Sequence, residues 1–87
     1  METEEASEVL KALAHPARLR ILAGLLEDEC NVSRIQRKLG LPQSTISQHL
    51  RILRDRGIVR GRREGTKHCY KVIDGRVKKI LEAMDLA

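Results

Sequence analysis

The side chains best suited to specific hydrogen bonding lie in the segment LPQSTISQHL, residues 41–50. This segment contains no Asp, Glu, Lys or Arg, although 33% of the chain is charged. On a helical wheel one face is apolar and carries Ile46, Leu50 and Leu53. The opposite face carries Ser44, Thr45, Gln48 and Arg51.

In the DNA major groove Gln pairs with adenine, Arg with guanine, and Ser or Thr with several base edges. The pattern predicts a surface that reads base edges. The alternative is an ordinary solvated helix face on which Ser44 only caps the helix.

A basic segment follows directly. Residues 51–71 carry eight Lys and Arg against two acids, whereas residues 1–29 carry seven acids against three bases. A concentrated basic segment on a weakly acidic body is typical of a surface that binds a polyanion, because each neutralised phosphate releases counterions. The alternative is a solvated basic surface without a partner.

Other kinds of chemistry find little support. An enzyme needs paired acid and base groups or an activated nucleophile in a pocket; the sequence shows no such constellation, so we expect no enzymatic activity. Tyr70 is the only aromatic residue, so stacking on single-stranded bases has almost no platform. A zinc or soft-metal site needs three or four converging S and N ligands. Cys30, Cys69 and the three histidines do not fall at such a spacing, so we expect neither a metal ion nor another cofactor.

The elements that position these residues follow from periodicity and from Gly and Pro. The 87 residues suffice for a single domain, residues 1–87. Apolar residues at helical spacing predict a helix over about 3–14, and a second from Pro16 with Leu19, Leu22, Ala23 and Leu26 turned inward. A short third helix over about 32–39 ends at Gly40, and a fourth runs to about residue 55. A hairpin is predicted over about 58–73 and a last helix over about 75–86. The predicted fold is mainly α with a small β-hairpin, in the order α-α-α-α-β-β-α.

The predicted hairpin shows a two-residue alternation. His68, Tyr70 and Val72 share one face of the second strand, and Lys67, Cys69 and Lys71 share the other. We therefore expect the strand face of Tyr70 to pack against the protein and the face of Cys69 to be exposed to solvent.

Three segments, LKALAHPARLRIL, LGLPQSTISQHLRILRDRGIV and RREGTKHCYKV, resemble the winged helix-turn-helix repressors of the arsenic-repressor type (ArsR/SmtB). The likeness covers about residues 8–74. It implies a homodimer that binds a palindromic operator on double-stranded DNA and represses transcription until an inducer releases it. The fourth helix would enter the major groove, the hairpin wing would follow the backbone or minor groove, and helix-turn-helix residues would span about 32–55. The contacts expected on the fourth helix are Gln43, Ser44, Thr45, Ser47, Gln48, His49, Arg51 and Arg54. Those expected on the wing are Arg62, Arg63 and Lys67.

The resemblance also implies that the first and last helices form the dimer interface. Each carries an apolar stripe, and so small a chain has little core to cover both. The expected interface residues are Val9, Leu10, Leu13, Val77, Ile80, Leu81 and Met84. The alternative is that both stripes pack within one chain.

The inducing signal is harder to predict than the scaffold. Metal-sensing members have a Cys-x-Cys pair where this chain has Asn31 and Ser33, and the last helix has no His, so both family metal sites are absent. Members that sense oxidants or persulfides use two bridging cysteines on helices flanking the dimer interface, whereas Cys69 lies on the wing strand. A redox-responsive or metal-responsive regulator that uses Cys30 and Cys69 therefore remains the alternative, beside a winged-helix module for protein contacts.

The cellular location is predicted from cysteine usage and hydropathy. Two cysteines are too few for a disulfide framework, and there is no long apolar run. We expect a cytoplasmic protein without a membrane partner.

Overall fold

The computed structural model describes residues 2–87. In chain order the elements are α1 (Thr3–Leu13), α2 (Pro16–Glu27), α3 (Val32–Leu39), α4 (Gln43–Asp55), β1 (Val59–Glu64), β2 (Lys67–Val72) and α5 (Gly75–Ala83). The two strands form one antiparallel hairpin. The predicted element order and fold class are confirmed. Across these residues, no helix combines the length and apolar character that crossing a membrane requires.

Local sequence signals set the helix ends before the segment LPQSTISQHL, residues 41–50, which is called the recognition segment below. His15 caps α2, since its Nδ1 accepts a hydrogen bond from the Ala17 amide at 3.0 Å, and Pro16 occupies the first helical turn. Gly40 ends α3 with φ 64°, in the left-handed region that glycine adopts without strain. The connection to α4 is therefore only three residues long, as a helix-turn-helix requires.

The last helix is shorter than predicted. Asp74 caps its start, with its carboxylate accepting from the Arg76 amide at 3.0 Å. The regular helix ends at Ala83, and Asp85 takes a positive φ of 59°. The apolar periodicity extended the prediction to residue 86, but the backbone turns before then.

Helix α2 lies at the centre of the core and packs against α1, α3, α4, α5 and β2. Its fully buried side chains include Ile21, Leu22 and Leu25. Of the predicted inward stripe, Leu22 is fully buried, and Leu19, Ala23 and Leu26 pack against the core but are only partly buried. A helix surrounded by five elements is apolar on most sides, so its periodicity does not single out one face.

The hairpin pairs Val59 with Val72 at its base and Glu64 with Lys67 at its tip. Val59 is buried, and Tyr70 and Val72 pack against the core from the same face. Cys69 lies on the opposite face but is fully buried as well, so the prediction that its face is wet was wrong at this position. The loop between α2 and α3 covers it, which a local alternation cannot indicate.

Candidate nucleic-acid interface

Helix α4 is anchored in the protein by one apolar face. Ile46, Leu50 and Leu53 are buried in the core, and the turn before the helix is closed by the Thr45 and Ile46 amides, which donate to the Pro42 carbonyl at 3.1 and 3.2 Å. Burial of three large side chains fixes the rotation of the helix about its axis. The face opposite them must therefore point to solvent.

The exposed face of α4 carries most of the side chains predicted to contact DNA. Exposed are Gln43, Ser44, Ser47, Gln48, Arg51 and Arg54, and Thr45 is half-buried. Within residues 2–87, only Arg54 of this set has a side-chain partner, since its Nε lies 3.7 Å from Asp55 Oδ1. The other donors and acceptors are available to an external ligand.

His49 does not belong to this exposed face. It is only 8% exposed, its ring centroid lies 4.6 Å from that of His15, and its Nδ1 lies 3.3 Å from Nη1 of Arg18. Because a guanidinium only donates, Nδ1 must accept, which requires a neutral His49. Burial, the nearby His15 and the charge of Arg18 together lower the pKa of His49 from its ordinary value. Its prediction as a DNA contact is corrected: His49 ties α4 to the start of α2.

Arg18 extends this connection to α1. Its Nε donates to the Ala12 carbonyl at 2.6 Å, so one guanidinium joins the end of α1 to α4. The HPAR motif thus caps α2 with His15 and positions the recognition segment with Arg18. Sequence reasoning assigned Arg18 no role, because its two partners lie on other elements.

The wing separates the three cations predicted for it. Arg63 and Lys67 are exposed, and within the described residues neither is in an ion pair. Arg62 lies on the opposite strand face from Arg63, and its Nη1 lies 2.6 Å from Glu29 Oε1 and its Nε 3.2 Å from Glu64 Oε1. These hydrogen bonds, that of Glu29 foremost, raise the pKa of Arg62 above its ordinary value. In this state the Arg62 guanidinium is occupied by two carboxylates, and its role as a wing contact stays a prediction.

A polar groove runs between the helix-turn-helix and the wing. It has a volume of about 500 Å³ and is lined by Gln43 and Ser47 of α4 and by Lys67 of the wing. Arg37 of α3 and His68 of β2 line it too, and sequence reasoning missed both. The basic last turn of α3, directly before the Gly40 turn, was the available signal for Arg37. Of the predicted contacts, Gln43, Ser47 and Lys67 therefore border one groove.

Cys30 and Cys69 form a disulfide in this structure, with their Cα atoms 4.2 Å apart. The bond joins the loop before α3 to β2, although the two residues are 39 positions apart. Ligand atoms of Cys30, Glu64 and Cys69 lie within 4.8 Å of one another. Of the residues described, these three form the group with the composition closest to that of a metal site. In the bridged state neither sulfur is a thiolate, so the group does not provide two soft ligands.

The first and last helices expose only part of their apolar stripes. Leu13, Val77 and Leu81 are buried in the chain's own core, which corrects their assignment to a dimer interface. Val9 and Ile80 are partly buried against the same core. The side chains still available to a partner are Leu10, 52% exposed, Met84, 59% exposed, and Leu86.

The same α1 surface forms a shallow apolar depression. Ala6, Leu10 and Ala14 line it together with Thr3, Ser7 and Lys11. An apolar depression beside an exposed Leu is suited to packing against another apolar surface.

Sequence comparison relates the chain to transcriptional regulators. The model of the family described as "Bacterial regulatory protein, arsR family" matches residues 15–60. An HTH-type transcriptional regulator of Methanocaldococcus jannaschii, MJ1325, is 46% identical over 83 residues, which are 94% of this chain and 93% of that protein. The transcriptional repressor PagR of Bacillus anthracis is 36% identical over 86 residues, covering 98% of this chain and 86% of PagR.

Solved structures give the same relation. The crystal structure of PagR aligns with a TM-score of 0.79 and 36% identity over 93% of each chain. Reduced HlyU from Vibrio cholerae aligns with a TM-score of 0.86 and 38% identity, covering 94% of this chain and 86% of HlyU. The similarity therefore extends over nearly the whole domain.

Proposed function

The chain belongs to the arsR family of bacterial regulatory proteins, and from that premise we propose that it binds an inverted-repeat DNA operator as a homodimer. It is a DNA-binding transcriptional repressor with a winged helix-turn-helix fold, and it is not an enzyme. The proposal adds how the operator is read and how two chains share it.

The observation that carries the proposal is the unpartnered polar face of the firmly packed helix α4. A helix held by Ile46, Leu50 and Leu53 presents Gln48 and Arg51 in a fixed direction. Fixed donors and acceptors discriminate among base edges, because a displaced side chain loses its matched hydrogen bonds. The proposed contacts on α4 are Gln43, Ser44, Thr45, Ser47, Gln48, Arg51 and Arg54.

The wing supplies charge in the proposed complex. Arg63 and Lys67 are exposed near the hairpin tip, where DNA phosphates would lie, and Lys67 also lines the groove. Phosphate contacts fix the position of the protein on the duplex but carry little sequence information. Helix α4 would therefore specify the sequence, and the wing would contribute affinity.

The proposed dimer uses the exposed parts of α1 and α5. Leu10 and Met84 are exposed although they are large and apolar. In a two-fold dimer each would be buried against Leu10 or Met84 of the second chain. Two recognition helices would then lie about 34 Å apart, one turn of B-DNA.

Light scattering tests the interface. We expect a dimer that L10E converts to a monomer, because a buried carboxylate at an apolar interface is costly. The matched control is I73E, which places the same charge at another exposed apolar residue, between β2 and α5. Dissociation by both variants, or by neither, would reject this interface.

Selection from a random-sequence pool of DNA duplexes tests the function. We expect enrichment of an inverted repeat whose half-sites are centred about one helical turn apart. Anisotropy measurements on the selected duplex should give an affinity that falls steeply with salt. Absence of an enriched sequence, or affinity independent of salt, would contradict the proposal.

A further inference from the structure

The Cys30–Cys69 disulfide connects the two parts of the molecule that face the groove. Cys30 precedes α3, and Cys69 is in β2, so the covalent ring closed by the bond contains α3, α4 and β1. Cys69 pairs with Arg62 in the middle of the hairpin, so the bond holds the middle of the wing against the helix-turn-helix.

The other links at this junction are weaker. One backbone hydrogen bond runs from the Tyr70 amide to the Glu29 carbonyl at 2.8 Å. Arg62 adds ion pairs to Glu29 and Glu64, but the three side chains are 37 to 58% exposed. Exposed ion pairs contribute little and are screened by salt. Without the disulfide, the middle of the wing would be held to this loop mainly by contacts that solvent competes for.

We propose that Cys30 and Cys69 are a reversible thiol–disulfide modification site that controls operator affinity by holding or releasing the wing. This inference rests on the proposed DNA-binding function. In the bridged form the wing is held against the loop before α3 and Arg62 is occupied by two carboxylates. In the dithiol form the wing can move, and Arg62 can exchange those carboxylates for a DNA phosphate.

The two sulfurs differ in access, which orders the chemistry. Cys30 is partly exposed, and its sulfur lies 4.0 Å from Arg62 Nη2 and 3.7 Å from Glu64 Oε2. Cys69 is fully buried. The Cys30 thiolate attacks one oxygen of hydrogen peroxide, the O–O bond breaks, Cys30 becomes a sulfenic acid, and the released hydroxide takes up a proton to leave as water. The Cys69 thiol loses its proton and attacks that sulfur, and the sulfenic oxygen leaves as a second water.

The reaction is balanced and reversible. Two thiols and one molecule of hydrogen peroxide give one disulfide and two molecules of water, with two electrons transferred from sulfur to peroxide. Two molecules of a small thiol such as glutathione return both electrons, and become one small-molecule disulfide.

The charge around the pair favours this role over metal binding. Glu64 Oε2 lies 3.7 Å from the Cys30 sulfur and is the one further donor in the group. It is exposed and already paired with Arg62, whose charge would oppose a cation at the same place. Two sulfurs and one engaged carboxylate fall short of the four ligands of a structural zinc site.

The test compares the dithiol and peroxide-bridged forms of the full chain, with the bridge verified by mass spectrometry and thiol labelling. The probe is the duplex that the dithiol form selects from the random-sequence pool. We expect the bridged form to bind about tenfold more weakly at about 0.1 M salt. The slope of log affinity against log salt should be shallower by about 0.9, the contribution of one phosphate contact.

Variants separate the parts of the argument. C30S should bind DNA like the dithiol form, and its affinity should not change with peroxide. C69S should behave in the same way, but a substitution at this fully buried position can also destabilise the fold, so C30S is the preferred variant. R62Q should remove the difference in salt slope between the two forms. R60Q is the matched control, since Arg60 lies on the same strand face and is in no ion pair within residues 2–87, and it should keep the difference.

Several results would overturn the inference. These are equal or tighter DNA binding by the bridged form, failure of peroxide to form the bridge, and persistence of the bridge in a glutathione buffer of cytosolic poise, which would make it a permanent structural link. Tight zinc binding by the dithiol form that blocks oxidation would also overturn it. Two measurements need no DNA: formation of the bridge, and hydrogen exchange of the β2 amides, which reports whether the wing moves in the dithiol form. If the operator selection fails, the proposed function is contradicted, and these two measurements still test whether the bridge forms and holds the wing.

Discussion

Helix α4 and the wing carry similar polar and basic side chains but are held in different ways. Three large apolar residues of α4 are buried, and His49 ties the helix to Arg18 on α2. The wing is a two-stranded hairpin whose residues 62–68 are all exposed and whose base alone packs against the core. One element is part of the core, whereas the other projects from it.

The difference suits the two tasks of a DNA-binding domain. Base readout needs side chains in fixed positions, since discrimination depends on paired hydrogen bonds. Phosphate contacts tolerate movement, because the charge of the backbone is repeated along both strands. The two tasks are therefore divided: α4 specifies sequence, and the wing supplies adjustable affinity.

The largest expected effect is on the packing of α4. Leu53 is fully buried, so L53A should lower the free energy of unfolding by about 2–5 kcal/mol, from lost burial and the cavity left behind. I52A is the matched control, because Ile52 is the adjacent residue but is 39% exposed; it should change stability by about 0.5 kcal/mol or less. Urea unfolding at one fixed protein concentration measures both. Similar losses for the two variants would mean that α4 is not held by this face.

The second expected effect is on sequence discrimination. Q48A should reduce the difference in binding free energy between specific and non-specific DNA by about 1–3 kcal/mol, because the side chain would lose its hydrogen bonds to a base edge. Competition between the selected duplex and a scrambled duplex measures this difference. An equal loss on both duplexes would instead place Gln48 at the DNA backbone, and the division between helix and wing would fail.

A smaller effect is expected at the wing. R63Q should weaken binding to both duplexes by the same factor and lower the salt slope by about 0.9, since one phosphate contact is lost. K78Q on α5 is the control for a general change in net charge, and its salt slope should stay close to that of the unmodified protein. A change in sequence preference for R63Q would show that the wing also reads bases.

Much of the architecture could be predicted because its signals are local. Pro16, Gly40 and Pro42 mark the helix boundaries around the helix-turn-helix, and alternating residues around Gly65 indicate the hairpin. The apolar face of α4 follows from helical spacing alone. These features depend on residues within about one turn of each other, so the sequence contains them directly.

The errors concern contacts between distant segments. Cys69 is buried and Arg62 is ion-paired with Glu29 because the loop at Glu29 and Cys30 packs on the wing, more than 30 positions away in the chain. His49 lies at the edge of the apolar face of α4, and only the position of the α1–α2 junction decides that it is covered. A strand or helix pattern gives the face of a residue but does not indicate which other segment will cover that face.

The smallest expected effect concerns this buried histidine and tests how firmly α4 is held. The pKa of His49 is lowered from 6.5 by burial and by His15 and Arg18, so the unfolded chain binds the proton more readily than the folded chain. The free energy of unfolding should therefore fall as pH drops below about 6.5 and level off below the folded-state pKa. Urea unfolding at about pH 7.5 and pH 5.5 measures this change.

H49Q is the control, because glutamine can accept a hydrogen bond from Arg18 but does not titrate. The variant should lose part of the acid sensitivity, and the difference between the two pH profiles is the contribution of His49. An unchanged profile would assign the acid sensitivity to other groups. A reduced profile would show that α4 is held in place by a neutral imidazole as well as by its apolar face, whereas the wing has no corresponding buried titratable group among the residues described. Acid would then loosen the helix that reads the sequence and leave the exposed cations of the wing charged.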